Sequence, residues 1–153
     1  MASVTDRDLG MAGVIREINR LDGEEIVAGM LADSGVARNG APYVSVATWN
    51  EFGTRHIPSR PFLRIAFDDN RKAWEGLAED LLDQIVDRCM SASQVGKTMG
   101  KRMQKDIRDV IGDKSRLAPN APSTIRRKGH DKPLIDTGTM QKRVNYRVEG
   151  GGA

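Results

Sequence analysis

The sequence predicts an α+β fold, in which a small, mostly antiparallel sheet packs with two long helices and shorter N-terminal and loop helices. Two observations support this class. Long apolar stripes with helical spacing occupy the middle of the chain, and short β-branched segments lie toward its two ends. With 153 residues, the chain fits a single domain over residues 1–153, with a flexible tail at 150–153.

The N-terminal third is predicted to hold a helix, a strand and a second helix. Residues 9–21 space their apolar side chains as an amphipathic helix does. Residues 25–32 form a short apolar run that is β-branched at its start, which favours a strand. Residues 43–52 are ambiguous, because their β-branched side chains favour a strand and their spacing favours a helix. We expect a short helix there, since Gly53 is well placed as a helix C-cap.

Two long helices are predicted for the middle of the chain. The prolines of residues 54–61 exclude a regular element, so this segment is an ordered loop. The first long helix then runs to about Met90, and a capping box from Ser91 to Gln94 starts the second, which runs to about Gly112. The apolar stripe of the first helix consists of Ala66, Asn70, Trp74, Leu77, Leu81, Ile85 and Cys89. Its outer face is acidic and consists of Asp68, Asp69, Glu75, Glu79, Asp80, Asp83 and Asp87.

The C-terminal quarter is basic and carries the last predicted strand. Residues 114–153 hold nine Lys and Arg against three Asp and Glu, a net charge of +6, whereas residues 1–113 have a net charge of −3. Residues 113–133 are predicted as a long basic loop with one helical turn at 123–128. Residues 144–148 alternate as a half-buried strand does. The basic segment could bind a polyanion or the acidic face of a neighbouring copy.

One fragment resembles part of a nucleotide-binding motif, but the rest of that motif is absent. The run GKT at 96–98 matches the end of a phosphate-binding loop, but Ser91 stands where that loop needs its first glycine. The alternative is that Gly96 and Gly100, one turn apart, allow close helix packing.

Cys89 ends an apolar stripe, which predicts a buried and inert thiol. A single cysteine suits a reducing compartment.

A second fragment resembles a protease site. The run LIDTG at 134–138 matches an active-site stretch of aspartic proteases, whose chemistry needs a second carboxylate that one copy of the run does not supply. Asp136 would otherwise cap a helix or turn that begins at Thr137.

His56 and His130 lack further ligands at metal-site spacing, and we expect both to be solvent-exposed. We therefore expect no catalytic residue, no cofactor and no metal ion, and a protein that is not an enzyme.

The basic loop has two open interpretations. The side chains of Arg126, Arg127, Lys128 and Lys132 could contact phosphate groups of a nucleic acid, or they could form a solvated basic face. No set of interleaved aromatic residues accompanies them, so sequence-specific recognition is not expected. No apolar run is long enough for a transmembrane helix, and no membrane contact is expected.

Two pairs of segments together resemble a known family. The first pair is WNEFGT at 49–54 with IPSRPFLR at 57–64, and the second is NAPSTIRRKG at 120–129 with PLIDTG at 133–138. In this order they resemble the neck or tail-completion (head–tail joining) proteins of tailed bacteriophages and prophages. The resemblance implies the same α+β class, a ring at the head–tail junction that joins tail to head and lets DNA pass, and neither catalysis nor cofactor.

The resemblance also implies partners and an interface. The partners are copies of the chain itself, the neighbouring connector or adaptor and tail proteins, and DNA in nonspecific passage. The location is the neck or the top of the tail in the virion, with assembly in the cytoplasm of the host bacterium. Phe62 is expected to be an anchor between subunits, because its loop is already restricted by proline. The expected interface consists of Phe52, Ile57, Pro58, Arg60, Pro61, Phe62 and Arg64, with Arg126, Arg127, Lys128 and Lys132 lining the channel or contacting a neighbour. The alternative function is a nonspecific nucleic-acid-binding protein that uses the basic C-terminal segment.

Overall fold

The structure is a computed structural model and describes residues 10–150. Within that range it contains six α-helices and two strands, which confirms the α+β class. In chain order the elements are α1 (Met11–Leu21), β1 (Glu25–Gly29), α2 (Tyr43–Phe52), α3 (Phe62–Val86), α4 (Ala92–Val110), α5 (Pro122–Lys128), α6 (Thr139–Arg143) and β2 (Asn145–Glu149). The helix expected at 43–52 is confirmed. The predicted helix start at Leu9 and the predicted tail beyond Gly150 lie outside the described residues.

The two strands form an antiparallel sheet that joins distant parts of the chain. Glu25 lies opposite Glu149, and Gly29 lies opposite Asn145. The exposed and half-buried residues of β2 alternate along the strand, as the sequence predicts. The sheet covers one face of α4.

Two glycines of α4 let the sheet approach closely. A Cβ atom at Gly96 would lie 3.2 Å from the side chain of Val148 on β2. A Cβ atom at Gly100 would overlap the ring of Tyr146 on the same strand. The prediction of close packing at these glycines was therefore correct in its spacing but wrong in its partner, which is a strand and not a helix.

The two long helices, α3 and α4, form an antiparallel hairpin. One buried cluster joins Leu81 and Ile85 near the end of α3 to Val95 and Met99 near the start of α4. Between the helices, the indole Nε1 of Trp74 donates a 2.7 Å hydrogen bond to the buried carboxylate of Asp106. The hairpin is the scaffold on which the other elements pack.

A second buried cluster lies at the other end of the hairpin. Phe62 and Ala66 at the start of α3 pack there with Ile107 and Val110 at the end of α4. Helix α2 closes this cluster with Tyr43 and Ala47, and α6 and the residue that follows it close the cluster with Met140 and Val144. The molecule thus has one packed cluster at each end of α3.

The hairpin turn differs from the prediction at Cys89. Helix α3 ends at Val86, not at Met90, because Arg88 has a left-handed φ of 59°. The backbone N–H groups of Cys89 and Met90 then donate to the carbonyl oxygen of Gln84. Cys89 lies beyond the helix and is exposed, so the prediction of a buried thiol was wrong. The capping box at the start of α4 is confirmed.

Candidate interaction surfaces

The loop between α2 and α3 (residues 53–61) is fixed in place by Glu51. The buried carboxylate of Glu51 accepts hydrogen bonds from the backbone N–H groups of Leu63 (3.0 Å) and Arg64 (3.1 Å). These groups have no partner within the helix, and a carboxylate also complements the positive end of the helix dipole. The carbonyl oxygen of Glu51 accepts a hydrogen bond from the hydroxyl of Ser59 (2.8 Å). The loop is therefore ordered by contacts within the subunit.

Arg60 lies inside the subunit, and its assignment to an intermolecular interface was wrong. Its side chain is buried, with 8% of the residue exposed. The guanidinium donates to the carbonyl oxygens of Ala118 (Nε, 2.8 Å) and Pro119 (Nη2, 2.8 Å). Burial lowers the pKa of Arg60 from its ordinary value. Arg60 thus joins the α2–α3 loop to the segment that precedes α5.

Phe62 also lies inside the subunit, which corrects its assignment as an intermolecular anchor. None of its surface is exposed, and it packs in the cluster with Ala66 and Val110. The sequence contained the signal for this position. Phe62 lies one turn before Ala66 and on the same face of α3. It is therefore the next member of the predicted apolar stripe toward the N-terminus.

The remaining residues of the expected interface are more accessible. Phe52 is 69% exposed, and the guanidinium of Arg64 lies 6.0 Å from its ring centroid, a cation–π distance. Pro58 is exposed, and Ile57 and Pro61 are half-buried. Trp49, one turn before Phe52, is exposed as well. We name Trp49, Phe52 and Arg64 the Phe52 patch. The assignment of Phe52 and Arg64 to an intermolecular interface stays a prediction. The same holds for Ile57, Pro58 and Pro61.

The basic loop at 113–133 is tied to its surroundings. Lys114 forms an ion pair with Asp131 at 2.7 Å. The side-chain amide of Asn120 donates to the carbonyl oxygens of Asp131 and Lys132 at 3.1 Å each. Arg116 forms ion pairs with Asp113 and with Asp69 of α3. A loop with these contacts presents its basic side chains from a defined position.

The predicted basic residues differ in their exposure. Arg126, Arg127 and Lys132 are exposed, whereas Lys128 is half-buried, and its Nζ lies 3.4 Å from the carbonyl oxygen of Lys132. Burial lowers the pKa of Lys128 from its ordinary value, and the carboxylate of Asp136 opposes that shift. None of these four cations forms an ion pair within residues 10–150.

A groove of about 870 Å³ lies where the two segment pairs identified in the sequence meet. Its buried and half-buried lining includes the apolar side chains of Tyr43, Val46, Leu134 and Met140, together with the polar side chains of Asn50 and Thr139. Its charged lining consists of Arg38, Arg127, Lys128 and Asp136. The structure therefore brings Arg127 and Lys128 together in the groove, whereas Arg126 and Lys132 are not part of its lining.

The predicted acidic face of α3 is present and exposed. Asp69 pairs with Arg116 at 2.8 Å, and Glu75 pairs with Arg71 at 2.9 Å. The other predicted acidic residues of this face form no ion pair with any described residue; they are Asp68, Glu79, Asp80, Asp83 and Asp87.

The fragments that resemble catalytic sites occupy ordinary structural positions. The run at 96–98 lies within α4 and not in a loop after a strand. Asp136 does not cap α6, because the residue before that helix is Gly138 with a left-handed φ of 75°. The prediction that Asp136 caps a helix or turn beginning at Thr137 was therefore wrong. Its exposed carboxylate lies instead in the lining of the groove.

The histidines do not share one environment. His56 is exposed, as expected, whereas His130 is half-buried, so the prediction of exposure was wrong for His130. Its Nδ1 atom has no hydrogen-bond partner among the described residues. Residues 10–150 contain no cluster of three or more His, Cys, Asp or Glu side chains that could hold a metal ion. No helix in this range is both long and apolar enough to cross a membrane.

Comparison with known proteins gives no relative for this chain. No family model, no curated protein and no solved structure matches it.

Proposed function

We propose that the chain is a structural assembly protein of a tailed bacteriophage or prophage. In this proposal it acts as a neck or tail-completion protein, forms a ring at the head–tail junction, joins tail to head and lets DNA pass. Its partners are copies of itself and the neighbouring connector and tail proteins. It performs no catalysis.

The observation that carries the proposal is the meeting of the two segment pairs on which the resemblance rests. Arg60 of the first pair donates two hydrogen bonds to the carbonyl oxygens of Ala118 and Pro119, just before the second pair begins. Asn50 of the first pair and Leu134 of the second both line the groove. Segments that are distant in the sequence thus build one surface region, as expected if they serve one common role.

The charge distribution supports self-assembly. An exposed acidic face on α3 and a basic C-terminal quarter occur on the same chain. Surfaces of opposite charge on one subunit favour head-to-tail contacts between copies, and such contacts close into a ring when the rotation between subunits allows it.

The test is made in a phage or prophage that lacks this protein. Loss of the chain should leave filled heads and separate tails, and the wild-type chain supplied in trans should restore joined particles. Electron cryomicroscopy of those particles should place the chain as a ring between head and tail. Joined particles from which the chain is absent would exclude the proposal.

A second candidate function is nonspecific binding of nucleic acid. The observation that favours it is the group of exposed cations Arg126, Arg127 and Lys132, which have no ion-pair partner in the described part of the chain. Such cations can bind phosphate groups without reading a sequence, and the affinity then falls steeply with salt. A monomer that binds duplex DNA and never joins a particle would favour this second function.

A further inference from the structure

The last two turns of α3 carry an exposed face that is both apolar and acidic. Leu82 is 42% exposed and Val86 is 55% exposed, one turn apart on the helix. Glu79 and Asp83 lie on the same face, because residues at spacings of three, four and seven share one side of a helix. We name Glu79, Leu82, Asp83 and Val86 the α3 ridge.

The α3 ridge and the groove are chemical complements. The groove places apolar side chains such as Val46 and Leu134 beside the cations Arg127 and Lys128. A helix that presents two aliphatic side chains next to two carboxylates matches both parts of this lining. Helices with one apolar face commonly dock into apolar grooves in this manner.

The ridge and the groove cannot meet within one subunit. The groove adjoins the buried cluster at the Phe62 end of α3, because Tyr43 and Met140 belong to both. The ridge lies at the opposite end of α3, at about 30 Å along the helix axis from Phe62 for a rise of 1.5 Å per residue. Any contact between the two surfaces must therefore join different copies.

We propose that the α3 ridge of one copy docks into the groove of the next copy in a head-to-tail contact. This inference rests on the self-assembly in the proposed function and names the surfaces that meet. Leu82 and Val86 cover the apolar lining, and Glu79 and Asp83 face Arg127 and Lys128. Because different surfaces meet, an open chain of copies keeps one free ridge at one end and one free groove at the other until a ring closes.

One feature of the groove favours a helix over DNA as its occupant. The lining contains the half-buried aliphatic side chains of Val46 and Leu134, which a phosphate backbone leaves uncovered. Asp136 does not distinguish the two occupants, because its carboxylate repels the phosphates of DNA and the carboxylates of the ridge alike.

The test is a charge exchange measured by sedimentation equilibrium of the purified chain at low salt. The ridge variant carries Glu79→Lys and Asp83→Lys, and the groove variant carries Arg127→Glu and Lys128→Glu. Each variant alone should self-associate about tenfold or more weakly than the wild type, since like charges then meet at the contact. An equimolar mixture of the two should regain association, because each mutated surface then faces a partner of opposite charge.

The control variant carries Lys97→Glu and Lys101→Glu on the exposed side of α4, which makes the same change of charge outside the groove and outside the predicted interface. It should associate as the wild type does. Equal loss in the control, no recovery in the mixture, or a wild type that remains monomeric up to about 1 mM would each overturn the inference. Circular dichroism of every variant checks that the fold is kept.

A particle assay separates this inference from the proposed function. If the ridge and groove variants join heads to tails as efficiently as the wild type, the docking contact is wrong and the proposed function stands. If the wild-type chain itself is absent from joined particles, the proposed function fails whatever the sedimentation result.

Discussion

Two phenylalanines on either side of one loop have opposite environments. Phe62 is fully buried, whereas Phe52 is 69% exposed. We predict that Phe62→Ala lowers the free energy of unfolding by about 3–5 kcal/mol, through lost burial and a residual cavity. Phe52→Ala should change it by no more than about 0.5 kcal/mol. Chemical denaturation of the two variants measures both values.

The Phe52→Ala variant also tests whether the Phe52 patch takes part in assembly. Phe52→Ala should fold normally and reduce incorporation into particles, since the side chain is available to a neighbour. Normal incorporation of a stable Phe52→Ala variant would show that this patch is not an interface.

Glu51 is predicted to stabilise the subunit through its cap on α3. Glu51→Gln replaces one carboxylate oxygen by an NH2 group, which donates hydrogen bonds and cannot accept one, and it removes a charge near the helix N-terminus. The loss should be about 1–2 kcal/mol. Hydrogen exchange should accelerate at the amides of Leu63 and Arg64, which the carboxylate binds. Glu79→Gln on the exposed face is the control, and equal acceleration at these amides in both variants would refute the capping role.

At the residue scale, the sequence predicts burial only where a pattern continues. Phe62 follows from extension of the α3 stripe, but the adjacent arginines suggested an interface instead. The buried position of Arg60 depends on carbonyl oxygens at Ala118 and Pro119, far along the chain. No local pattern indicates which distant carbonyl groups will accept from a given guanidinium.

At the scale of elements, the contact between α4 and β2 depends on a glycine. Gly100→Ala should gain about 1 kcal/mol of helix propensity, but the new methyl group overlaps the ring of Tyr146. We predict a net loss of stability of about 1–3 kcal/mol. Gly76→Ala in α3 is the matched control, because no described atom beyond its chain neighbours and its own helix backbone lies within 4 Å of the added Cβ. The control should be stabilised by up to about 1 kcal/mol, and thermal melts of both variants measure the contrast.

The basic loop at 113–133 is predicted to lose the stabilising contacts of the Asp113 carboxylate in acid. Hydrogen bonds from Ser115, followed by that from Arg116, lower the pKa of Asp113 from 3.8 to about 2. A lowered pKa in the folded state means that the contribution of Asp113 to stability is complete above about pH 4 and is lost as the pH falls toward 2. The difference in Tm between the wild type and Asp113→Asn should therefore shrink over that range. A difference that stays constant from pH 6 to pH 2 would contradict this assignment.

The order and type of most elements could be predicted from the sequence, but α6 and some boundaries could not. A helix or turn at Thr137 was only the alternative to a protease site, and α6 begins at Thr139. The strand predicted for 25–32 ends at Gly29.

Apolar periodicity and the Ser91 capping box located α3 and α4 because both signals are local. The end of α3 differs because Arg88 adopts a left-handed conformation that usually takes glycine. No residue type at that position signals the turn, so the exposure of Cys89 could not be foreseen.

At the scale of the whole molecule, the role of the basic segment is open to a direct test. We predict that joint neutralisation of Arg126, Arg127 and Lys128 to Gln lowers the affinity for DNA about equally for all sequences. It should also make the affinity less dependent on salt, because fewer counterions are released. Fluorescence anisotropy with two unrelated duplexes at several salt concentrations measures both effects. Unchanged DNA binding together with blocked joining of heads to tails would instead assign the segment to a protein contact.

The groove illustrates what sequence reasoning leaves out. The sequence indicated that Arg127 and Lys128 could carry a site, because they form a charged run. It gave no sign that Val46 of α2 and Leu134 lie beside them. A surface built from three separated segments exists only after the fold is formed, so its shape and apolar lining have no counterpart in any single stretch of sequence.

The strand pairing also implies an order of folding. The hairpin of α3 and α4 joins neighbours in the chain, whereas β1 must wait for β2, since Glu25 pairs with Glu149 near the opposite end. Closing so long a segment costs more chain entropy and slows the step that depends on it. We therefore expect that pulse-labelled refolding protects the amides of α3 and α4 before those of the sheet. Until the sheet forms, the face of α4 that carries Gly96 and Gly100 stays uncovered. The subunit is therefore most prone to misassembly in the interval before the sheet forms.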